Sequence, residues 1–365
     1  MRLYSIVVLS ICLLVSQIGA SATPRIINGK DARQGDWPWM IAIINSGSPA
    51  ISSQFCGGTL IHPSWVLTGA HCTNGETTSS IKVLLGRNTL SRERTGKIIR
   101  VKRIIQHPDF DNHPENPTAD IALLELASEV KQPVLRIADY HSNLPQNVKE
   151  ATVIGWGAMQ FRHDIASNYA DKLQQVTVPI VANDVCNASY DGDVKNTMLC
   201  AGFADGGMDA CVGDSGGPLV AKNDTGWQQI GIVSWGEGCA LPDYYGVYTH
   251  VPSFQKYITE LTCEPTDILP APQLEVSVNE HSATVLWTKV EGATGYQFYY
   301  APHFEPINTM FFDDMKQSID LGSNTSFTVA LEVLKAFRHN FHVTVRAYQG
   351  NCYSADSNVG SVIVN

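Results

Sequence analysis

Short apolar runs separated by glycine, proline, asparagine and aspartate dominate the chain from Ile26 to about Cys263. Trp39-Met40-Ile41-Ala42-Ile43-Ile44, Ile81-Lys82-Val83-Leu84-Leu85 and Ile121-Ala122-Leu123-Leu124-Glu125-Leu126 are typical. Such runs have the length and β-branched content of strands, and their regular turn signals predict an all-β barrel or sandwich. Helical periodicity surfaces only near the end of this stretch, where Val251 to Leu261 predicts one closing helix. Prolines then crowd the chain at Pro265, Pro270 and Pro272. Proline at that density cannot sit inside a sheet, so residues 264–269 read as a linker. Beyond it, residues 270–365 return to strands, with period-two runs at Ala283 to Trp287, Tyr296 to Tyr300 and Phe341 to Arg346. That length suits one immunoglobulin-like sandwich.

The N-terminus follows a different pattern. Arg2 precedes an almost unbroken apolar run from Leu3 to Val15, and Ile18-Gly19-Ala20 and Ala20-Ser21-Ala22 supply small residues for cleavage. The run falls short of the about 20 residues a membrane span needs. Residues 1–22 therefore predict a signal peptide, and the protein is expected to be secreted and extracellular. Composition adds little except exclusions. With 44% apolar residues there is material for packed interiors, and a net charge of -10 argues against nucleic-acid binding, which wants a basic face. Of nine cysteines, Cys12 leaves with the signal. The remaining eight, Cys56, Cys72, Cys186, Cys200, Cys211, Cys239, Cys263 and Cys352, show no paired C-x-x-C spacing, so in an exported chain they read as disulfides rather than metal ligands.

Three short motifs change the picture. A serine hydroxyl becomes nucleophilic when a neighbouring base takes its proton and a third group orients that base. Thr68-Gly69-Ala70-His71-Cys72 offers the base, Asp120-Ile121-Ala122-Leu123-Leu124 the orienting carboxylate, and Gly213-Asp214-Ser215-Gly216-Gly217-Pro218 the nucleophile. With these motifs in this order, residues 26 to about 262 resemble the trypsin and chymotrypsin family of serine proteases. The resemblance implies two six-stranded β-barrels with a short C-terminal helix, over residues 26–263. It also implies catalysis by His71, Asp120 and Ser215, with the N–H groups of Gly213 and Ser215 holding the oxyanion.

Further expectations follow from the same resemblance. Arg25-Ile26-Ile27-Asn28-Gly29 looks like the family's activation site behind a short propeptide, residues 23–25. Cleavage after Arg25 would free the amine of Ile26 to pair with Asp214. Asp209, six residues before Ser215, stands where the trypsin subgroup keeps the acid of its specificity pocket, and Gly236 and Gly246 match the pocket-wall glycines. These residues imply cleavage after arginine or lysine. Ala210 lacks the hydroxyl that helps many trypsins hold lysine, which favours arginine. Ser234-Trp235-Gly236 offers an edge strand to the substrate backbone. Arg87 stands where calcium-binding members place a glutamate, so neither a metal nor any other cofactor is expected. The implied disulfides are Cys56–Cys72, Cys186–Cys200 and Cys211–Cys239. Cys263 and Cys352 remain, one on each side of the linker, and are expected to tie the two domains together.

Residues 270–365 resemble a fibronectin type III module, with Trp287, the Tyr296 to Tyr300 run and the Phe341 to Val345 run as core. No catalytic set occurs there. The expected whole is a monomer whose partners are protein or peptide substrates with arginine or lysine at the cleaved position, and protease inhibitors. A catalytically dead binding protein on this scaffold would normally have lost a triad residue, and none is lost here.

Overall fold

The computed structural model describes residues 27, 29–142, 148–303, 312, 313, 315–337 and 340–364. The predicted signal peptide (1–22), the propeptide (23–25) and Ile26 lie outside the described residues.

Two closed antiparallel barrels occupy the first two thirds of the chain. Round the first, Met40–Asn45, Gln54–His62, Trp65–Thr68, Ala122–Leu126, Lys97–Gln106 and Ile81–Leu85 pair in that order, and the last returns to the first. The second closes through Glu150–Gly155, Gln174–Val181, Met198–Ala201, Gly246–His250, Gly226–Trp235 and Pro218–Asn223. The unbroken apolar strand Met40–Asn45 shows why some runs lack alternation. Ile41 and Ile43 point into the first barrel's core, while Met40, Ala42 and Ile44 pack outward with Trp37, Leu84, Ile154 and Trp156. Both faces are covered, so both must be apolar. The second barrel is filled by Val153, Val178, Leu199, Leu219, Ile230 and Tyr248.

The closing helix differs from its expected form. Val251–Phe254 is a 3₁₀ turn with proline in its first turn, and the α-helix proper runs Gln255–Thr262. Proline has no N–H to give and is tolerated only at such a start. Phe254 and Ile258 bury against Ile61, Leu67, Leu123 and Ile232 and so fasten the helix to both barrels.

The rest of the chain forms a three-stranded sheet (Leu274–Val278, Ser282–Trp287, Ser326–Ala330) and a five-stranded sheet. The latter is built on Gly295–Pro302 and Phe341–Gln349, with Gln317–Asp320, Cys352–Tyr353 and Gly360–Val362. Both sheets contribute to one core, where Val285 and Trp287 meet Phe298, Val343 and Val345. A helix at Leu331–Phe337, absent from the strand-only expectation, also buries Leu331 and Leu334 there.

This second module is fastened to the barrels by a buried polar seam. The Arg136 guanidinium pairs with Asp320, donates to Tyr353 Oη (2.9 Å) and lies 3.5 Å from the Tyr348 ring centroid. Asn351 accepts from Ile137 N (2.8 Å) and donates to Ile61 O and Leu135 O (2.8 and 3.0 Å). Asp139 accepts from Tyr299 Oη and Ser318 Oγ, each at 2.7 Å. The Cys263–Cys352 disulfide crosses the same seam, and the other three disulfides join Cys56–Cys72, Cys186–Cys200 and Cys211–Cys239.

Candidate active site

His71 and Asp120 come from two separated turns that the structure brings into contact, and Ser215 lies on a third, beside Gly57 of the first barrel. His71 opens the 3₁₀ turn His71–Thr73, pinned by Gln106, whose Nε2 donates to Ala70 O (3.1 Å) and Thr73 Oγ1 (3.0 Å). A side chain on Gly69 would press within 2.9 Å of the His71 ring, so the imidazole rests on bare backbone. Asp120 follows Ala119, a left-handed residue (φ 46), and its carbonyl accepts from Thr249 Oγ1 (2.7 Å). Its carboxylate meets His71 twice, accepting from the backbone N at Oδ1 (2.9 Å) and lying 2.7 Å from Nδ1 at Oδ2. Ser234 Oγ donates to the same Oδ2 (2.5 Å). Burial alone would raise the Asp120 carboxyl, but the His71 and Ser234 contacts overcome it and hold the group below the usual carboxylate range. An ionised Asp120 fixes a proton on Nδ1 and leaves Nε2 as the basic nitrogen.

Ser215 sits half-buried in a tight turn, where Gly217 N donates to Asp214 O (2.9 Å) and Gly57 N to Ser215 O (2.7 Å). Two glycines make that turn possible. Gly213 (φ +96) and Gly216 (φ +73) are left-handed, and a side chain at Gly216 would strike Thr68 Oγ1 at 2.3 Å. Gln54 Nε2 donates to Gly213 O (2.8 Å), bracing the peptide two residues before Ser215 from the first barrel.

Ser215 lines a cavity of about 180 Å³ together with Asp209, Ala210, Ser234, Trp235, Gly236 and Gly246. The Cys211–Cys239 disulfide borders it. Gly246 has no room for a side chain, since a Cβ would come within 2.9 Å of Asp209 Oδ1, whereas one on Gly236 would meet only ordinary contacts from 3.6 Å outward. The bare Gly236 therefore serves the cavity rather than the packing. The Asp209 carboxylate accepts only from the amides of Ala210 (2.8 Å) and Ala240 (3.1 Å) among the described residues. Burial pushes it up to about 7 despite those two bonds, and Asp214 adds to the rise.

Asp214 is the second buried acid. It accepts from Gly157 N (2.8 Å) and Cys211 N (2.9 Å), and burial raises it to about 7. Gly155 and Gly157 leave it room, as a Cβ on either would lie within 2.4 Å of a carboxylate oxygen. Arg25 and Ile26, its expected activation partners, lie outside the described residues.

Sequence reasoning named Ser234 only as a strand edge and missed its bond to Asp120. It also missed Thr249, Gln54 and the Gly155-Trp156-Gly157 cradle, none of which belongs to a motif that carries its own chemistry. Arg87 is buried with its guanidinium bonded to the carbonyls of Leu90, Glu93 and Thr95. Its loop is thus organised round a side-chain cation. Cys56, His71 and Cys72 cluster within metal-ligand reach, but the two thiols are joined in a disulfide and cannot ligate.

Known proteins are similar to this chain over the two-barrel region. The trypsin family profile matches residues 26–258. A trypsin of Saccharopolyspora erythraea is 36% identical over 237 residues, 64% of this chain and 97% of its own length. A mouse tryptase is 36% identical over 275 residues, 69% of this chain and 96% of its own. Mouse vitamin K-dependent protein C is 38% identical over 243 residues, 64% of this chain and 51% of its own.

Proposed function

The chain belongs to the trypsin family and is a serine endopeptidase, and on that premise we propose that it hydrolyses peptide bonds after arginine, and more slowly after lysine, through His71, Asp120 and Ser215. Ser215 Oγ attacks the scissile carbonyl while His71 Nε2 takes its proton, and the N–H groups of Gly213 and Ser215 hold the oxyanion. The intermediate collapses, His71 returns the proton to the departing amine, and water then attacks the acyl-enzyme by the same route in reverse. Asp209, in one cavity with Ser215, carries the reading of specificity. A carboxylate that burial keeps near neutrality is stabilised when a cationic side chain enters, and a planar guanidinium can span its two oxygens. Ala210 offers no hydroxyl to an ammonium, which favours arginine over lysine.

The same reasoning extends to maturation. Cleavage after Arg25 supplies the Ile26 amine, an ammonium that satisfies Asp214 and orders the peptide carrying the oxyanion donors. The protein is exported through its N-terminal segment and acts extracellularly, and among the described residues no helix is long and apolar enough to cross a membrane. The two-sheet module reads as a fibronectin type III-like sandwich, because its three- and five-stranded sheets share one aromatic core. Digestion of a peptide library by the matured protein tests the whole reading. Cuts after arginine outnumber those after lysine, and Ser215→Ala lowers kcat about 10⁶-fold. Undiminished turnover in that variant, or a preference for aromatic residues, ends the proposal.

A further inference from the structure

One stretch of chain makes the covalent connection between the barrels. Residues 127–149 run from Ala122–Leu126 of the first barrel to Glu150–Gly155 of the second. Among the described residues no disulfide bypasses it. Cys56–Cys72 lies before the stretch, and Cys186–Cys200, Cys211–Cys239 and Cys263–Cys352 lie after it. His71 and Asp120 also precede it and Ser215 follows, so a cut here puts the triad on two unlinked polypeptides. The stretch holds a single arginine, Arg136, which is a liability in an enzyme that cuts after arginine.

The second module covers that arginine. Its side chain is 16% exposed, with the guanidinium paired to Asp320, bonded to Tyr353 Oη and set over the Tyr348 ring. The backbone on either side is held as well, because Asn351 takes the Ile137 amide and the Leu135 carbonyl. Farther along, Asp139 accepts from Tyr299 and Ser318, and the His141 carbonyl accepts from Ser318 N (2.9 Å). The stretch is also paired to the second barrel, Arg136 opposite Gln228 and Ile137 opposite Gln229. An endopeptidase takes its substrate as an extended strand, with the side chain before the cut bond placed in a pocket. Arg136 can meet neither demand while the module is seated.

Other arginines are left open. Arg92 and Arg162 are exposed, the first on the loop between Ile81–Leu85 and Lys97–Gln106, the second at the end of the strand Ala158–Arg162. A break at either lies inside a barrel or on its hairpin, where paired strands on both sides still hold the pieces. A break at Arg136 leaves two separately closed barrels. Cover is placed where a cut does most harm.

We propose that the second module shields the Arg136–Ile137 bond from arginine-directed proteolysis, self-cleavage included, and so keeps both barrels in one chain. The cut in question is ordinary peptide hydrolysis, with water as the second reactant. Shielding from an added protease needs only the burial. Self-cleavage rests also on the arginine preference proposed for Asp209, and the two are tested apart.

Asn351→Ala removes three bonds of the seam, and Cys263→Ser/Cys352→Ser removes its covalent tie. Both are made in the matured full chain carrying Ser215→Ala, which cannot cut itself. An added arginine-specific endopeptidase is applied below the melting transition, and the fragments are mapped by mass spectrometry. Arg136–Ile137 resists in the parent and is cut about tenfold faster or more in the loosened variants, because cutting tracks the population of the opened state. The two products part in denaturant without reduction, and Arg136→Gln in the Asn351→Ala background abolishes them. Cutting at Arg92 and Arg162 proceeds equally in all these proteins. With Ser215 restored, the loosened enzymes generate the Ile137 N-terminus unaided and lose activity on storage sooner than the parent. A parent cut at Arg136 as readily as the variants, or resistance of both variants equal to that of the parent, overturns the proposal. Cutting by the added protease without self-cleavage supports the shield and tells against the arginine preference instead.

Discussion

The cleft between the barrels and the seam between the modules both bury charge, and they treat it in opposite ways. At the seam Asp320 is completed by Arg136, Tyr348 Oη (2.8 Å), Gln228 Nε2 (2.9 Å) and Thr225 Oγ1 (2.8 Å). In the cleft Asp209 and Asp214 have amides alone among the described residues, and burial raises both to about 7. Asp120 lies in the same cleft and is fully partnered, which keeps it ionised. A satisfied buried charge fixes structure, whereas one left near neutrality is poised to receive a cation. The difference separates the acid that joins the modules from the two that await a cation, while Asp120, already satisfied, orients His71.

The contrast breaks most visibly at Asp209. Asp209→Asn keeps the shape and removes the charge, so an arginine substrate must bury its guanidinium without a counter-ion. The matured variant loses about 10³-fold in kcat/KM on arginine substrates. Leucine and phenylalanine substrates are cut no more slowly than before. Steady-state kinetics on a matched set of small peptides checks both. A loss shared equally by all substrates would make Asp209 structural and erase the distinction.

At the seam the expected signature is reversed. Arg136→Leu strips Asp320 of the one cation it pairs with among the described residues while leaving four neutral donors, the Gly322 amide (3.0 Å) included, at a cost of roughly 3 kcal/mol and a Tm lower by about 5–10 °C. Small-substrate kcat/KM is unchanged below the transition. Calorimetry beside kinetics decides the matter, and a fall in activity at unchanged Tm would join seam and cleft into one system.

The sequence made the two regions unequally legible. The barrels were readable because turn signals punctuate strand-length runs, and His71, Asp120 and Ser215 because each lies in a motif dense with glycine or flanked by strand. Asp209 could be located only by its distance from Ser215. The seam left no such trace. Arg136 meets residues 184 and 217 positions away, and Asn351 meets backbone 290 positions away. No local pattern distinguishes an asparagine that will cap another module's strand from one in a turn. The helix Leu331–Phe337 was hidden for a related reason. Val333 and Phe337 remain exposed while Leu331 and Leu334 are buried, so a seven-residue stretch offers too little periodicity to displace a strand reading.

A pH series sharpens the comparison without changing substrate. A carboxyl near 4 when unfolded and at about 7 when folded holds its proton in the folded state across that window. The unfolded chain then binds fewer protons, so stability falls as pH rises from about 4, and the fall is complete above about 7. The uncleaved protein therefore loses Tm over this range. Asp209→Asn or Asp214→Asn gains on it progressively and keeps the whole gain above pH 7. Matured enzyme should show the Asp214 part of this slope removed by the new ammonium. Parallel melting curves at pH 5 and pH 8 check the sign, and equal differences at the two values would place both acids in a solvated setting.

The smallest expected effects come from removing one oxygen in each region. Tyr353 Oη accepts from Arg136 at the seam, whereas Tyr190 Oη donates to Tyr245 O (2.6 Å) and accepts from Glu237 N (3.4 Å), ties that hold the two strands flanking the cavity. Tyr353→Phe leaves a guanidinium donor unmet and costs about 1 kcal/mol, seen as a Tm lower by about 3 °C with KM unaltered. Tyr190→Phe frees Tyr245 and Glu237, which adjoin Gly246 and Gly236, so the cavity walls lose their tie while the barrel keeps its core. KM for an arginine substrate then rises about fivefold at nearly constant Tm. The pair isolates the distinction because the chemical change is the same hydroxyl in both. If the two variants moved Tm and KM in the same proportion, cleft and seam would be coupled through Gly226–Trp235, the strand that touches both.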